Sequence, residues 1–425
     1  MILVALCGGG LEKIVANEIR KLGECSPSHL AIIDSGFGSV RFESDLTGAY
    51  HALLSLRTAD RLLLEAASFT AADFDELFEG TQAAAWEDYI PKGMGLAVDK
   101  VRSNHSRLAA ETSIQSVVHK AAADRLCQHY RQLSLPEGGP GNKALLRVHL
   151  EKNRVQILLD LCGKPLFRRG YRLEGGAAPL RESTAAALLL QTLWRRKHPL
   201  YDPFCGAGTV VIEAALYAWD VAPGLGRGFA VSALSFADAA VENDVRRALL
   251  ERIDLSRTVR IFGSDSNGEA VEAAKANLER ALKAAGGGKN TFGSPRPACL
   301  PKLWRRPMEE AAAPYDEGFI ITNPPYGVRL LDKENSEELY RRMNVLKDNF
   351  PSWRINVLSA HAGFESFFGQ KADRCKKITS GALETYFYEY DGGVKRKEKP
   401  CPPENTRNKN VPDAKKSGGG KIYTW

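Results

Sequence analysis

Residues 200–219 read LYDPFCGAGTVVIEAALYAW and combine a short apolar run, a glycine-rich turn and a second apolar run. The pattern predicts a strand over 199–204 and a helix over 208–219. Gly206 and Gly208 stand in the turn between them, where glycine lets the backbone bend sharply and approach a ligand closely. In an open α/β sheet, the turn after a strand lies at the ligand-binding crevice. We therefore expect a ligand at this turn.

The alternation of strand and helix continues on both sides of the turn. The predicted elements are a helix that opens at 181–184, strands at 259–266, 318–324 and 354–360, helices at 267–286 and 336–350, a loop at 285–300 and two more strands within 376–391. Alternation of this kind is typical of the α/β class. It predicts a doubly wound, mostly parallel sheet.

The first 165 residues differ in character and predict a small α+β region. The predicted elements are strands at 2–7, 29–36, 39–44 and 94–103, helices at 11–23, 73–90 and 106–133, a helix that turns into a strand near Arg61, and a strand pair over 143–163. Two ferredoxin-like layers would fit this order. No catalytic constellation is recognisable in this region.

Composition and charge narrow the function classes. The chain has 425 residues, enough for two or three domains, and a net charge of +7. The segment 391–425 carries nine Lys or Arg and four Asp or Glu, so +5 of that charge lies on a tail that we expect to be disordered. Local basic clusters could still meet phosphates. They lie at 168–172, at 195–197 and at 305–306.

Cysteine spacing and hydropathy point to a reduced, membrane-free compartment. The eight cysteines form no CxxC pair, so we expect reduced side chains and no metal site. No apolar run reaches the ~18–20 residues that span a bilayer. The amino-terminal segment lacks the basic region of a signal peptide. These features predict a cytoplasmic protein.

Acidic side chains end two neighbouring predicted strands. Asp202 and the free amides at the following helix start could hold the ammonium and the carboxylate of a small zwitterion, such as an amino-acid moiety. The turn is neither a P-loop nor a GxGxxG motif. Asp265 ends the next strand, where an acid commonly accepts hydrogen bonds from ribose hydroxyls. Alternatively, Asp265 only caps the helix that starts near Asn267.

Residues 319–330, FIITNPPYGVRL, leave an apolar strand through Asn323, Pro324, Pro325 and Tyr326. Two prolines fix φ twice and remove two donors, which predicts unpaired carbonyls beside the Asn323 oxygen. Such acceptors could bind an exocyclic NH2 group, and Tyr326 offers a face on which a flipped base could stack. The alternative is a polyproline corner that only closes the sheet.

Together, the stretches DPFCGAGT and NPPY resemble the cofactor loop and the amine-binding motif of class I S-adenosylmethionine methyltransferases that methylate amino groups. Longer stretches at 168–184, 200–229 and 364–378, with FGSVRFESD at 37–45, resemble the bacterial 23S rRNA guanine-N2 methyltransferases. The resemblance covers about residues 1–390. It implies a ferredoxin-like domain at 1–55, a THUMP RNA-binding domain at 56–165, a Rossmann-like methyltransferase domain at 166–390 and a tail at 391–425.

The resemblance also implies roles for individual residues, with S-adenosylmethionine as cofactor, no metal, and RNA, 23S rRNA above all, as partner. The catalytic set would be Asn323, Pro324, Pro325 and Tyr326, and the cofactor set Ser183, Thr184, Asp202, Phe204, Gly206, Gly208, Thr209, Asp265 and Asn323. One departure concerns the acid that contacts adenine in the family. Met308 and Glu309 stand roughly at its place, so that role stays open.

Three other functions share parts of these patterns. An adenine-N6 methyltransferase shares the NPPY motif, but the amino-terminal region resembles an RNA-binding module. A tRNA guanine-N2 enzyme shares the whole layout. A non-catalytic ribosome assembly factor could keep the fold, although intact cofactor and amine motifs argue against it. A nicotinamide dehydrogenase is disfavoured because GxGxxG is absent. The patterns leave the oligomeric state open.

Overall fold

The structure is a computed structural model that describes residues 1–25, 28–137, 142–172, 180–285, 297–325, 330–380 and 383–392. Within these residues two mixed α/β layers each carry a seven-stranded sheet. The greater part of the predicted tail and of the predicted loop at 285–300 lies outside the described residues.

The first sheet belongs to the amino-terminal region. Its elements are β1 (Ile2–Leu6), α1 (Glu12–Cys25), β2 (Leu30–Gly36), β3 (Ser39–Ser44), α2 (Leu46–Ser55), β4 (Arg61–Thr70), α3 (Phe74–Ala83), β5 (Gly95–Asn104), α4 (Glu111–Tyr130), β6 (Lys143–Glu151) and β7 (Arg154–Asp160). The strand order is β2-β3-β1-β4-β7-β6-β5. Among the described strand pairs of this sheet, only β5–β6 is parallel.

β4 joins the two ferredoxin-like layers that the sequence predicts into one sheet. β4 pairs with β1 on one side and with β7 on the other, so a single sheet runs through the whole region. Leu62, Leu63 and Leu64 are all buried, which is expected of a strand that is covered on both faces. The helix over 73–90 is shorter than expected and ends at Ala83, with a separate 3₁₀ turn at Trp86–Asp88.

The second sheet belongs to the carboxy-terminal region. Its elements are α5 (Glu182–Gln191), β8 (Leu200–Asp202), α6 (Thr209–Ala218), α7 (Ala239–Glu251), β9 (Ile261–Asp265), α8 (Gly268–Ala285), β10 (Lys302–Arg305), β11 (Gly318–Thr322), α9 (Leu330–Arg342), α10 (Val345–Asn349), β12 (Trp353–Ser359), α11 (Phe364–Phe368), β13 (Arg374–Ser380) and β14 (Leu383–Tyr390). The strand order is β10-β9-β8-β11-β12-β14-β13.

The second sheet confirms the predicted doubly wound, mostly parallel architecture. Its first five strands are parallel, and β14 inserts antiparallel between β12 and β13. The sequence does not predict α7, β10 or α11, and the helix expected over 336–350 is two helices, α9 and α10. After β8 the chain first builds β9 and β10 on one side and then β11 and β12 on the other. A crevice therefore opens between the carboxyl ends of β8 and β11.

Polar contacts, some of them only partly buried, join the two regions. The Asp60 carboxylate accepts a hydrogen bond from Arg181 Nη1 (2.9 Å) and another from the Ser183 hydroxyl. Gly224 N donates to Leu54 O (2.8 Å), and a Cβ at Gly224 would lie 2.7 Å from Leu54 Cα. The regions therefore touch backbone to backbone. Among the described residues, no helix combines the length and apolar character needed to cross a membrane.

Candidate active site

The glycine turn after β8 is held against the end of β9. Cys205 N donates to Ser264 O (2.9 Å), and Gly206 N donates to the Asp265 carboxylate (2.9 Å). Gly208 N closes the turn on Cys205 O (2.7 Å). The turn therefore keeps its shape through bonds to a neighbouring strand, at the edge of the crevice.

The two glycines of the turn do different work. Gly208 has φ +85°, and a Cβ there would lie 2.9 Å from Ala274 Cβ on α8. This glycine lets α6 and α8 pack closely. Gly206 has φ +50°, and a Cβ there would meet nothing within 4 Å among the described residues. The space over Gly206 is open, as a ligand cradle requires.

We predict that Gly208→Ala destabilises the protein by roughly 2–4 kcal/mol, since it adds left-handed strain to overpacking. Thermal denaturation of the full chain measures the effect. Gly228→Ala is the matched control, because a Cβ there meets nothing within 4 Å and no positive φ is imposed. Equal melting temperatures for the two variants would contradict the packing role of Gly208.

Asp202 at the end of β8 is a buried carboxylate, 2% exposed. Its Oδ1 accepts from the Thr322 hydroxyl (2.6 Å) and from Phe204 N (3.1 Å). Burial raises the pKa of the Asp202 carboxyl to about 7, although these two hydrogen bonds lower it. A cationic ligand beside Asp202 would favour the ionised form.

Asp265 at the end of β9 bridges two segments. Its Oδ2 accepts from Gly206 N and its Oδ1 from Asn267 N (2.9 Å each). Asn267, rather than Asp265, accepts from Glu269 N (2.9 Å) at the start of α8. Capping of α8 alone therefore does not account for the position of Asp265.

Asn323 follows Thr322, the last residue of β11. The Thr322 hydroxyl donates a hydrogen bond to Asp202. The Asn323 Oδ1 is buried and has no hydrogen-bond partner among the described residues. A buried acceptor without a donor is unfavourable by roughly 1–3 kcal/mol, so such an atom points to a ligand that donates. This is the strongest chemical signal at the crevice.

The prolines after Asn323 only partly match the expectation of free carbonyls. Pro324 is buried and Pro325 is exposed. The Pro325 carbonyl accepts from the Tyr340 hydroxyl (3.4 Å), which also contacts Ser359 Oγ (3.1 Å). The expectation that both carbonyls are unpaired is therefore wrong for Pro325, because α9 places a phenol beneath it. Tyr326 lies outside the described residues.

The remaining expected cofactor residues are distributed around the crevice. Thr209 is buried at the start of α6 and accepts from Arg172 Nη2. Phe204 packs on an aromatic cluster with Tyr201 and Phe262. Thr184 is buried on α5. The Ser183 hydroxyl instead donates to Asp60, so it serves the junction between the two regions.

The sequence did not predict Thr322 or Tyr340 as site residues, and it marked Arg172 only as part of the basic cluster at 168–172. Thr322 had a visible signal, because it is a polar residue at the buried end of a strand, directly before Asn323. Tyr340 and Arg172 reach the site across 15 and 37 residues of chain. Local periodicity carries no information on such contacts.

The segment after β10 lies beside the carboxyl end of β9. Arg306 N donates to Asp265 O (2.9 Å), which brings the Met308–Glu310 turn beside β9. Met308 is buried, and the Glu309 carboxylate accepts from Arg342 Nη1 (2.8 Å). Within the described residues no group of three or more His, Cys, Asp or Glu could hold a metal.

Three family descriptions match successive parts of the chain. Residues 2–63 match the RlmL ferredoxin-like domain, 71–160 the THUMP domain and 169–388 the RMKL-like methyltransferase domain. YpsC of Bacillus subtilis (strain 168), assigned by prediction as an RNA methyltransferase, is 34% identical over 93% of this chain and 97% of its own.

Two further relatives add detail. The ribosomal RNA large subunit methyltransferase K/L of Syntrophotalea carbinolica is 32% identical over 90% of this chain, which spans about half (52%) of that enzyme. The crystal structure of SMU.472, assigned by prediction as a methyltransferase and solved with S-adenosylhomocysteine (SAH), superposes with a TM-score of 0.80. It is 33% identical and covers 93% of this chain and 99% of its own.

The sheet order, the glycine turn and these matches define the class: a class I S-adenosylmethionine-dependent RNA methyltransferase with a THUMP domain. Its cofactor is S-adenosylmethionine. The chain belongs to the RMKL-like methyltransferase family, in the form that carries RlmL ferredoxin-like and THUMP domains.

Proposed function

We propose that the chain transfers a methyl group to the exocyclic N2 of a guanine in RNA, with 23S rRNA as the favoured substrate. The observation that carries the proposal is the buried Asn323 Oδ1, which has no donor in the part of the chain that the structure describes, at the carboxyl end of β11 and beside the Asp202 end of β8. An acceptor in that position suits an NH2 group that is brought to the cofactor crevice.

The described residues fit S-adenosylmethionine. Asp202 would hold its ammonium, and the free amides at the start of α6 would hold its carboxylate. Asp265 would accept from the ribose hydroxyls, and Phe204 and Thr209 would line the methionine end. The open space over Gly206 leaves room for the ligand. When bound, the cofactor supplies an electrophilic methyl group on a sulfonium.

Asn323 and the Pro324 carbonyl would accept the two N2 hydrogens and so orient the nitrogen lone pair. An attacking amine gains positive charge, and its hydrogens become stronger donors. Acceptors in a buried site therefore bind the transition state better than the ground state. The N2 amino group does not need to lose a proton before it attacks, because its position and the two acceptors are sufficient to orient its lone pair.

The choice of nucleobase rests on the family, since adenine N6 is also an NH2 group. The relatives named ribosomal RNA large subunit methyltransferase K/L support a ribosomal RNA substrate. The THUMP match at 71–160 supports an RNA-binding role for residues 56–165. We further propose that Tyr326 and Pro325 border the extruded base. Such a substrate would place the reaction in the cytoplasm.

Nucleoside mass spectrometry of rRNA and tRNA from a strain without this chain tests the proposal. We expect N2-methylguanosine to fall in 23S rRNA and to return with the wild-type chain. A loss in tRNA would favour a tRNA substrate, and a loss of N6-methyladenosine would favour adenine. Unchanged nucleosides with defective large subunits would favour a non-catalytic assembly factor.

We predict that Gly206→Ala weakens cofactor binding by more than tenfold while stability falls by only about 1–2 kcal/mol. The new methyl group would enter the open space over the turn and would lie more than 4 Å from every described residue beyond its chain neighbours. Isothermal titration calorimetry with SAH measures the affinity. Unaltered affinity would show that the cofactor does not lie over Gly206.

A further inference from the structure

A second cleft lies where α1 and α2 of the amino-terminal region face α5, α6 and α7. Its volume is about 240 Å³. Its wall includes Lys21, Ser55, Trp194, Tyr217 and Asp220. Ligand pockets for drug-sized molecules are typically about 300–1,000 Å³, so this cleft suits a smaller group.

The cleft is remote from the methyl-transfer crevice. Tyr217 lies in the last turn of α6, whereas Thr209 at the first turn borders the glycine turn. A ten-residue helix is about 15 Å long, so the two sites lie at opposite ends of α6. The cleft therefore belongs to the amino-terminal edge of the second sheet.

Positive charge dominates the lining. Five basic residues line the cleft, namely Lys21, Arg57, Arg195, Arg196 and Arg252, against two acids, Glu18 and Asp220. Both acids are engaged already. Glu18 accepts from Arg57 N, Thr58 N and the Thr58 hydroxyl. Asp220 accepts from Arg196 (2.9 Å) and Arg252 (3.3 Å). The excess of cations favours an anionic ligand.

Arg57 is the deepest of these cations, with 7% of its surface exposed. Its Nη2 donates to Val221 O, whereas its Nη1 is buried without a partner among the described residues. Ser55 Oγ, on the same wall, is also unpartnered within that part of the chain. Burial lowers the pKa of Arg57, although the nearby charges of Glu213 and Glu18 oppose this shift, so an additional anion beside Arg57 would further favour its charged form.

Aromatic surface accompanies the charge. The Tyr217 ring lies 4.6 Å from the Arg196 guanidinium and 5.4 Å from that of Arg57. Trp194 tilts against Tyr217 at 6.0 Å. Guanidinium groups held over a ring keep their planes fixed, and fixed guanidiniums are suited to phosphate oxygens.

We propose that this cleft is a phosphate-binding site, in which Arg57, Arg195 and Lys21 hold the phosphate group of a nucleotide. The phosphate is either part of an RNA chain or part of a free nucleotide, and the rest of the molecule extends towards solvent. The inference does not depend on guanine-N2 as the methylated group, because binding at the cleft is measured without turnover.

The test compares two double variants of the full chain with equal charge change. Lys21→Gln with Arg195→Gln removes two exposed cations of the cleft. Lys13→Gln with Lys197→Gln removes two exposed cations from the same segments but outside the cleft. Each protein is titrated with inorganic phosphate, AMP, adenosine and a short single-stranded RNA at constant ionic strength, with calorimetry and melting temperature as readouts.

We expect phosphate and AMP, but not adenosine, to bind the wild type and the control pair, and the cleft pair to bind at least tenfold more weakly. If RNA binding also falls in the cleft pair alone, the phosphate belongs to RNA. If only AMP binding falls, it belongs to a free nucleotide. No response of the wild type to phosphate, AMP or RNA, or equal losses in both pairs, overturns the proposal.

Arg57→Lys supplies an independent check, since it keeps the charge and removes the second amino group. We expect weaker phosphate binding and unchanged SAH binding. Full phosphate affinity in a folded Arg57→Lys protein would contradict the role of Nη1. If this variant does not fold, the surface pair still decides the matter.

Discussion

Asn323→Ala is expected to lower kcat by roughly 10²–10³, a loss of about 3–4 kcal/mol of transition-state stabilisation. The variant removes the buried acceptor that has no donor among the described residues. Because Asp202 and the glycine turn are untouched, SAH affinity should be nearly unchanged. Methyl transfer to RNA that lacks the modification measures kcat, and calorimetry measures cofactor affinity.

Two further variants separate the acceptor role from a structural one. Asn323→Asp keeps an oxygen at the same position and should retain measurable turnover. Asn344→Ala is the matched control, since Asn344 is exposed and makes no capping hydrogen bond through its side chain. Full turnover by Asn323→Ala would refute Asn323 as the amine-binding residue.

Asp202→Asn should have the second large effect. It should weaken cofactor binding and should stabilise the cofactor-free protein. Removal of one partner from a buried charge pair is unfavourable by roughly 2–5 kcal/mol. SAH, which keeps the ammonium group, should therefore bind on the order of 30- to several-thousand-fold more weakly. The asparagine Oδ1 can still accept from Thr322 and Phe204, so the local structure should persist.

The same substitution should stabilise the cofactor-free protein, and only at higher pH. The pKa of Asp202 is raised from 3.8 to about 7, so the folded state retains a proton that the unfolded state has released. Stability due to Asp202 therefore falls as pH rises from about 4 to 7 and is constant above that range. The full difference is at most about 4 kcal/mol.

Melting temperatures of Asp202→Asn and the wild type, measured without cofactor, should accordingly coincide near pH 4 and diverge by pH 8. The affinity of the wild type for SAH should also decrease as the pH is lowered from 7, because the carboxylate becomes protonated. The affinity of the variant should not show this decrease. Asp316→Asn, an exposed carboxylate in the same region, is the control. A variant that binds SAH like the wild type would exclude Asp202 as the ammonium partner.

Much of the fold was predictable because the relevant signals are local. β11 contains the apolar run 319–321, and α6 begins directly after the glycine turn. Right-handed strand–helix–strand connections then leave few topologies. The roles assigned to Asp202, Asp265 and Asn323 remain predictions, but parallel strands bring their carboxyl ends to one edge, as expected.

The sequence by itself therefore determined the class of sheet, the position of the glycine turn and the presence of an acceptor after β11. Only the tertiary structure decided that β4 joins two layers in one sheet, that Thr322 bonds Asp202 across 120 residues, and that Ser183 is bound by Asp60. It also created the cleft around Arg57, and no sequence motif predicts this cleft. The physical reason is that periodicity and turn chemistry report on neighbours along the chain, whereas burial and hydrogen-bond partners depend on segments that meet only when the chain folds.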